Sequence, residues 1–165
     1  MKVGTKSILF GVHQFLIHPV VVSIAWIRIY KKLPNFKELF CIIVHDWGYW
    51  GKASMDGRDG ERHPELGAKI ARKLFGLKWF DLCLYHSRTY AKYQVKKPSP
   101  LCWPDKLSIT IEPWWFYLPR AWLSGELFEY REKAHATGFI LRSSTHREWY
   151  GWVQDRLKKS VTNNT

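Results

Sequence analysis

Apolar positions recur at helical spacing along most of the chain. Val20, Ile24 and Ile27, with Trp26 and Tyr30, predict a helix over 19–32, opened by Pro19 and closed by Lys31 and Lys32 against its C-terminal dipole. His18 falls at the start of that helix, or just inside a longer one from near Ser7. Asn35 and Glu38 have capping-box spacing and open a second helix, whose apolar run 39–44 ends in His45-Asp46. Gly48 is expected to stop it in the left-handed conformation. His63-Pro64-Glu65 opens a third helix, with Leu66, Ile70, Leu74 and Phe75 expected on its buried face beside Gly67 and Ala71, and Gly76 at its end. A fourth is expected over about 78–93, with Trp79, Leu82, Cys83 and Tyr90 on one face and His86 near it. Ser99-Pro100 is a start signal for a fifth, which carries Trp103, Asp105, Leu107 and Ile109, kinks at Pro104 and stops at Glu112-Pro113.

Beyond the aromatic run 114–119, helical segments are expected over about 120–135 and 146–159. The last is opened by Thr145 and Glu148 and carries Trp149, Trp152, Val153 and Leu157 on one face. Convincing period-2 alternation is missing, so the fold is expected to be all-α. One domain should span 1–165, with a core of five helices over about 10–112 and an aromatic helical extension over about 113–160; the tail after Lys159 should be frayed.

Composition narrows the picture. A chain of 165 residues that is 46% hydrophobic, with ten Trp, is not disordered. A net charge of +12 favours an anionic partner: a nucleotide, nucleic acid or an acidic membrane surface. Cys41, Cys83 and Cys102 form no CxxC, which suits reduced thiols and a cytoplasmic location. The apolar stretch 8–27 follows Lys2 and Lys6, but His13, Gln14, His18 and Pro19 interrupt it, so no transmembrane span is expected.

The candidate chemistry starts at His45-Asp46. Imidazole and carboxylate side by side at the end of a buried segment are costly unless something cationic pairs with them. By itself the dipeptide is an ordinary helix end. His18 upstream, and His63, His86 and Asp105 downstream, each lie at the edge of an apolar helical segment. The order His…His-Asp…His…His…Asp over about 10–112 resembles the HD-domain superfamily of metal-dependent phosphohydrolases, in particular its branch with two extra histidines. The resemblance implies an HD-like bundle with one or two divalent ions; Fe, Mn, Zn and Mg are not distinguished. His18, His45, Asp46 and Asp105 would hold the first ion, and His63 and His86 a second, with Asp46 bridging. It makes His45 and Asp46 the catalytic pair and implies attack of a metal-activated hydroxide on phosphorus in a nucleotide or another small phosphorylated metabolite.

Phosphate also needs cationic donors, and Lys52, Arg62, Arg88 and Lys92 flank the proposed ligands in sequence. Trp47, Tyr49 and Trp50 could stack on a base or wall the core. His13 could point at the same cavity, whereas His135 and His146 lack that context. Two other functions fit the same residues. One is a mixed-valent di-iron oxygenase on the same ligands. The other is a non-catalytic, basic, aromatic-rich module that binds nucleic acid or a membrane surface through the region 113–123. Oligomeric state is open.

Overall fold

Local signals set most of the helix boundaries. In the computed structural model, which describes residues 1–162, ten α-helices and no strand occur among the described residues. They are α1 (Val3–Phe10), α2 (Ile17–Tyr30), α3 (Phe36–Val44), α4 (Pro64–Phe75), α5 (Leu77–Leu84), α6 (Arg88–Tyr93), α7 (Cys102–Ser108), α8 (Trp114–Ser124), α9 (Glu126–Ala136) and α10 (His146–Thr162). Asn35 caps α3 as expected. Its Oδ1 accepts from the Lys37 and Glu38 amides at 3.0 Å each, and Glu38 accepts from the Asn35 amide at 2.7 Å. Such a cap contributes about 1 kcal/mol. Thr145 and Glu148 repeat the arrangement before α10, and Pro64 occupies the first turn of α4.

Several expectations change. An additional helix, α1, precedes α2, and α2 opens at Ile17 because the Gln14 side chain accepts from the amides of Leu16 and Ile17. The expected fourth helix is two, α5 and α6, broken at 85–87 where Ser87 caps α6. The buried face of α4 is made of Gly67, Ala68 and Ala71, while Leu66 and Leu74 are exposed; small residues let the neighbouring helices approach closely. Ser99 does not cap α7: its hydroxyl donates to the Leu82 carbonyl. Pro104 then sits in the first turn of α7, where a missing amide costs nothing. The aromatic run at 114–119 is itself helical, and α8 and α9 stand where one segment was expected. Helix α10 continues through 160–162, so that part of the tail is ordered; the rest of the expected frayed tail lies outside the described residues.

Three clusters of buried side chains organise these helices, the smallest of them Ile8, Tyr49 and Met55. Val22, Trp26, Ile42, Ala68, Cys83 and Leu101 join α2–α5 and the start of α7. Val12, Tyr117, Leu127, Trp149 and Tyr150 join the C-terminal helices to the segment between α1 and α2. The C-terminal helices are therefore packed onto the core, with α8 against α1 and α10 against α7. All three cysteines are free and buried. No helix among the described residues is long and apolar enough to cross a membrane.

Candidate metal centre

The six residues named from the sequence come from five places. His18 is in the first turn of α2, His45 and Asp46 follow α3, His63 precedes α4, His86 lies in the break between α5 and α6, and Asp105 is in α7. Two glycines allow the approach. A Cβ on Gly67 would lie 2.4 Å from the Val44 carbonyl oxygen, and one on Gly48 would lie 1.9 Å from that of His63. Gly48 is thus needed for close packing, within a single 3-10 turn at Trp47–Tyr49, and not as a left-handed cap; its φ is not positive.

All six side chains are buried, and Asp46 is at their centre. Its Oδ2 lies 3.2 Å from Nε2 of both His18 and His45. Its Oδ1 lies 3.5 Å from His63 Nε2 and 3.4 Å from His86 Nε2. Asp105 Oδ1 closes the first group, 3.2 Å from His18 and 3.7 Å from His45. The donor atoms thus form two groups that could each hold a metal ion, one of His18, His45, Asp46 and Asp105 and one of Asp46, His63 and His86.

Three of the rings are fixed from behind. His45 Nδ1 donates to the Ile42 carbonyl at 2.7 Å, His63 Nδ1 to that of Gly60 at 2.8 Å and His86 Nδ1 to that of Cys83 at 2.5 Å. A ring nitrogen that donates to a carbonyl must carry the proton, so in the neutral ring Nε2 keeps its lone pair. The Nε2 atoms of His63 and His86 are nevertheless 3.1 Å apart. Two lone pairs at that distance repel unless a cation or a proton lies between or beside them. His45 Nε2 and Asp46 Oδ2 are also buried without a hydrogen-bond partner. Facing lone pairs and orphaned buried polar atoms are what a metal site looks like to its ligands, and the residues fit the group.

The electrostatics agree. Burial drives the carboxyls of Asp46 and Asp105 up, but His45, His18 and His86 around the first, and Lys106, His18 and His45 around the second, hold both well below the usual range. Burial opposes charging His45, yet Asp46 and Asp105 push it up to about 10. His18 is likewise raised, against burial, by the Asp105 and Asp46 carboxylates. His63 is shifted the other way, well down, because burial dominates and His86 adds to it. Protons thus compete for the first group, while His63 in the second stays neutral.

Other residues are placed as follows. Arg88 lines the cavity that reaches His18 and Asp105. Lys52 pairs with Asp59 at 2.9 Å and Arg62 with Glu65 at 2.8 Å, and both line an outer hollow containing none of the six. Lys92 is exposed and does not line the cavity. Tyr49 is buried and stacked on His63, with ring centres 4.0 Å apart, so it walls the site. Trp47 and Trp50 are exposed in the outer hollow. Two further groups escaped the sequence reading. Lys106 Nζ bonds Asp105 Oδ2 at 2.9 Å, turning Oδ1 toward the histidines. Glu126, on α9, is fully buried and lies 2.8 Å from His13 Nδ1. Adjacency to Asp105 was a usable signal for Lys106; nothing local marked Glu126.

A buried His/Asp cluster in an all-helical fold is compatible with an HD domain. No protein-family model, curated protein or solved structure matches the chain.

Proposed function

We propose that the protein is a metal-dependent phosphohydrolase of the HD-domain kind, acting on a nucleotide or another small phosphorylated metabolite. The observation that carries the reading is Asp46, whose two oxygens face two separate groups of imidazoles. Four imidazoles and two carboxylates suit zinc or iron better than manganese or magnesium, which prefer oxygen ligands. A pair of such ions supplies Lewis acidity and water acidic enough to act as hydroxide near neutral pH.

The chain's own residues do the rest. Carbonyl-anchored rings hold the imidazoles in place, Lys106 fixes Asp105, and Tyr49 covers one face of His63. A cavity of about 380 Å³ leads from His18 and Asp105 toward Trp149, Trp152 and Val153 of α10. Arg88, on its lining, offers a fork of donors to an anionic ligand.

The test joins elemental analysis to phosphate release from a panel of nucleoside mono-, di- and triphosphates and dinucleoside polyphosphates, with manganese, iron or zinc. About two ions per chain and metal-dependent, oxygen-independent phosphate release are expected. Oxygen-dependent turnover on reduced iron would transfer the site to the oxygenase reading. A protein that binds no metal but retains an anionic polymer in a steeply salt-dependent way would replace both with a binding module.

A further inference from the structure

The apolar stretch 8–27 is too interrupted to span a membrane, and the fold buries only part of it. Leu9 and Phe10 end α1, Phe15 and Leu16 lie in the link to α2, and Val20, Ile24 and Ile27 follow on α2; all of them are exposed. Steps of four and three residues put Val20, Ile24 and Ile27 in one stripe. Val22, Ala25 and Trp26 pack the other side of the helix into the core, where His18 reaches the candidate metal centre. A surface helix ordinarily turns polar residues outward, whereas α2 is apolar on both sides. Its 14 residues are too few to cross a bilayer.

The apolar surface continues around a hollow of about 700 Å³. Leu9 and Phe15 line it together with Trp47, Trp50 and Leu66, which are 40, 59 and 44% exposed. Contiguous exposed apolar surface of this kind marks an interface.

Charge identifies the partner. Residues 1–37 hold six cations, Lys2, Lys6, Arg28, Lys31, Lys32 and Lys37, and no Asp or Glu. They stand at the two ends of the stretch. Lys52, Arg62 and Lys69 line the hollow against one carboxylate, Glu65. A second copy would bring the same cations to the contact, and each chain carries +12. A nucleic acid would use the cations and the tryptophans, but aliphatic Leu16, Val20, Ile24 and Ile27 offer no face on which a base stacks. An anionic bilayer uses all three groups. Aliphatic side chains enter the acyl boundary, indole rings sit at headgroup level and cations meet the anionic lipids. Helix α8 also exposes Trp115 and Trp122, but its one cation, Arg120, is engaged by the buried Glu112.

We propose that the outer stripe of α2, with residues 9–16 and the rim of the hollow, docks on a membrane surface rich in anionic lipid. The proposal goes beyond the phosphohydrolase reading and does not depend on it.

The full chain is sedimented with vesicles of phosphatidylcholine alone and of phosphatidylcholine mixed with phosphatidylserine. Binding to the mixed vesicles only, weakened by salt, is expected. The pair Val20→Gln and Ile24→Gln together, on the stripe, and Trp50→Ala, at the hollow, should each weaken binding about tenfold, the scale of one apolar side chain removed from water. Arg28→Gln should weaken it about fivefold, the scale of one cation near an anionic surface. Trp115→Ala should leave it unchanged, and zinc content and circular dichroism should match the wild type in every variant. Absence of binding to mixed vesicles, equal binding to neutral ones, or binding lost in Trp115→Ala and kept in the stripe variant overturns the proposal. So does a dimer in the ultracentrifuge that the stripe variant splits, or a single-stranded oligonucleotide held by the same residues while vesicles are not. Should the stripe variant fail to fold, Trp50→Ala and Arg28→Gln still decide. The phosphohydrolase reading stands whichever result is obtained.

Discussion

Asp46→Asn keeps the volume of the side chain and removes its charge. Both oxygens of Asp46 are engaged, Oδ2 toward His18 and His45 at 3.2 Å and Oδ1 toward His63 and His86 at 3.5 and 3.4 Å. No single replacement elsewhere reaches both groups. Altering a group that merely orients a metal ligand costs roughly 10–100-fold in affinity, so replacing an anionic ligand by a neutral amide should cost at least the upper end for each ion. That is about 100-fold per ion, or about 2.7 kcal/mol each at 1.36 kcal/mol per factor of ten. If two ions share the residue as proposed, the loss appears in both binding steps. The amide nitrogen, wherever it points, also presents hydrogens to imidazole lone pairs and so favours the metal-free arrangement. The assay is competition against a chromophoric zinc chelator, with helical content checked by circular dichroism. If the asparagine variant binds two ions with affinities within about threefold of the wild type, the bridging role of Asp46 is refuted, since such a change falls well short of the expected loss.

Removing a single member of the second group should act on one ion alone. His86→Ala or His63→Ala should lower the zinc content from two to one per chain, measured by elemental analysis. Gly48→Ala places a methyl 1.9 Å from the His63 carbonyl oxygen. It should cost about 2 kcal/mol or more in urea unfolding and weaken the same ion. Arg88→Ala should leave metal content unchanged and raise KM with little effect on kcat, whereas Lys52→Ala, which breaks only an ion pair with the exposed Asp59, should change stability by under about 0.5 kcal/mol. In metal-free protein, the raised His45 and His18 stabilise the fold fully below their ordinary value of 6.5, and His45 loses that contribution as pH rises through about 10. The depressed Asp46 and Asp105 stabilise it above 3.8, and the depressed His63 costs stability below 6.5. Urea midpoints should therefore decline from about pH 6.5 toward 10, while zinc affinity, which requires those protons to leave, should rise over the same range. A zinc affinity that does not depend on pH would contradict the geometry.

The six clustered histidines and aspartates were legible as a set because each stands at an edge between an apolar helical run and a break, and edges carry local signals such as Pro64 and the Asn35 cap. The division of α5 from α6 was hidden because apolar spacing runs through 85–87 without interruption, although Ser87 is a capping residue. The role of Gly48 was misassigned because a glycine near a helix end has two uses, left-handed backbone and close approach, and only the position of His63 decides between them. Glu126 was invisible for a different reason. Its partners Ser7, Val12 and His13 lie more than a hundred residues away, and nothing in its surroundings tells a buried carboxylate from a first-turn one. The cations show the reverse case. Asp59 and Glu65 were in plain view as partners for Lys52 and Arg62, and proximity in sequence to the ligands outweighed them.

The carbonyls of Ile42 and Cys83 that anchor His45 and His86 belong to the last turns of α3 and α5, where a helix leaves its carbonyls without amide donors. Each of these histidines therefore closes its own helix three residues downstream of the carbonyl it needs. Their side-chain freedom is surrendered when the helix forms, before any ion arrives, so little rotamer entropy is left to lose on loading. Such a ligand needs no distant partner to aim it: any apolar helix that ends in the right place can acquire one by a single substitution. It also means that a ligand deletion leaves a frayed helix end as well as an empty coordination position, and only apo-protein stability measured beside metal affinity will separate those two losses.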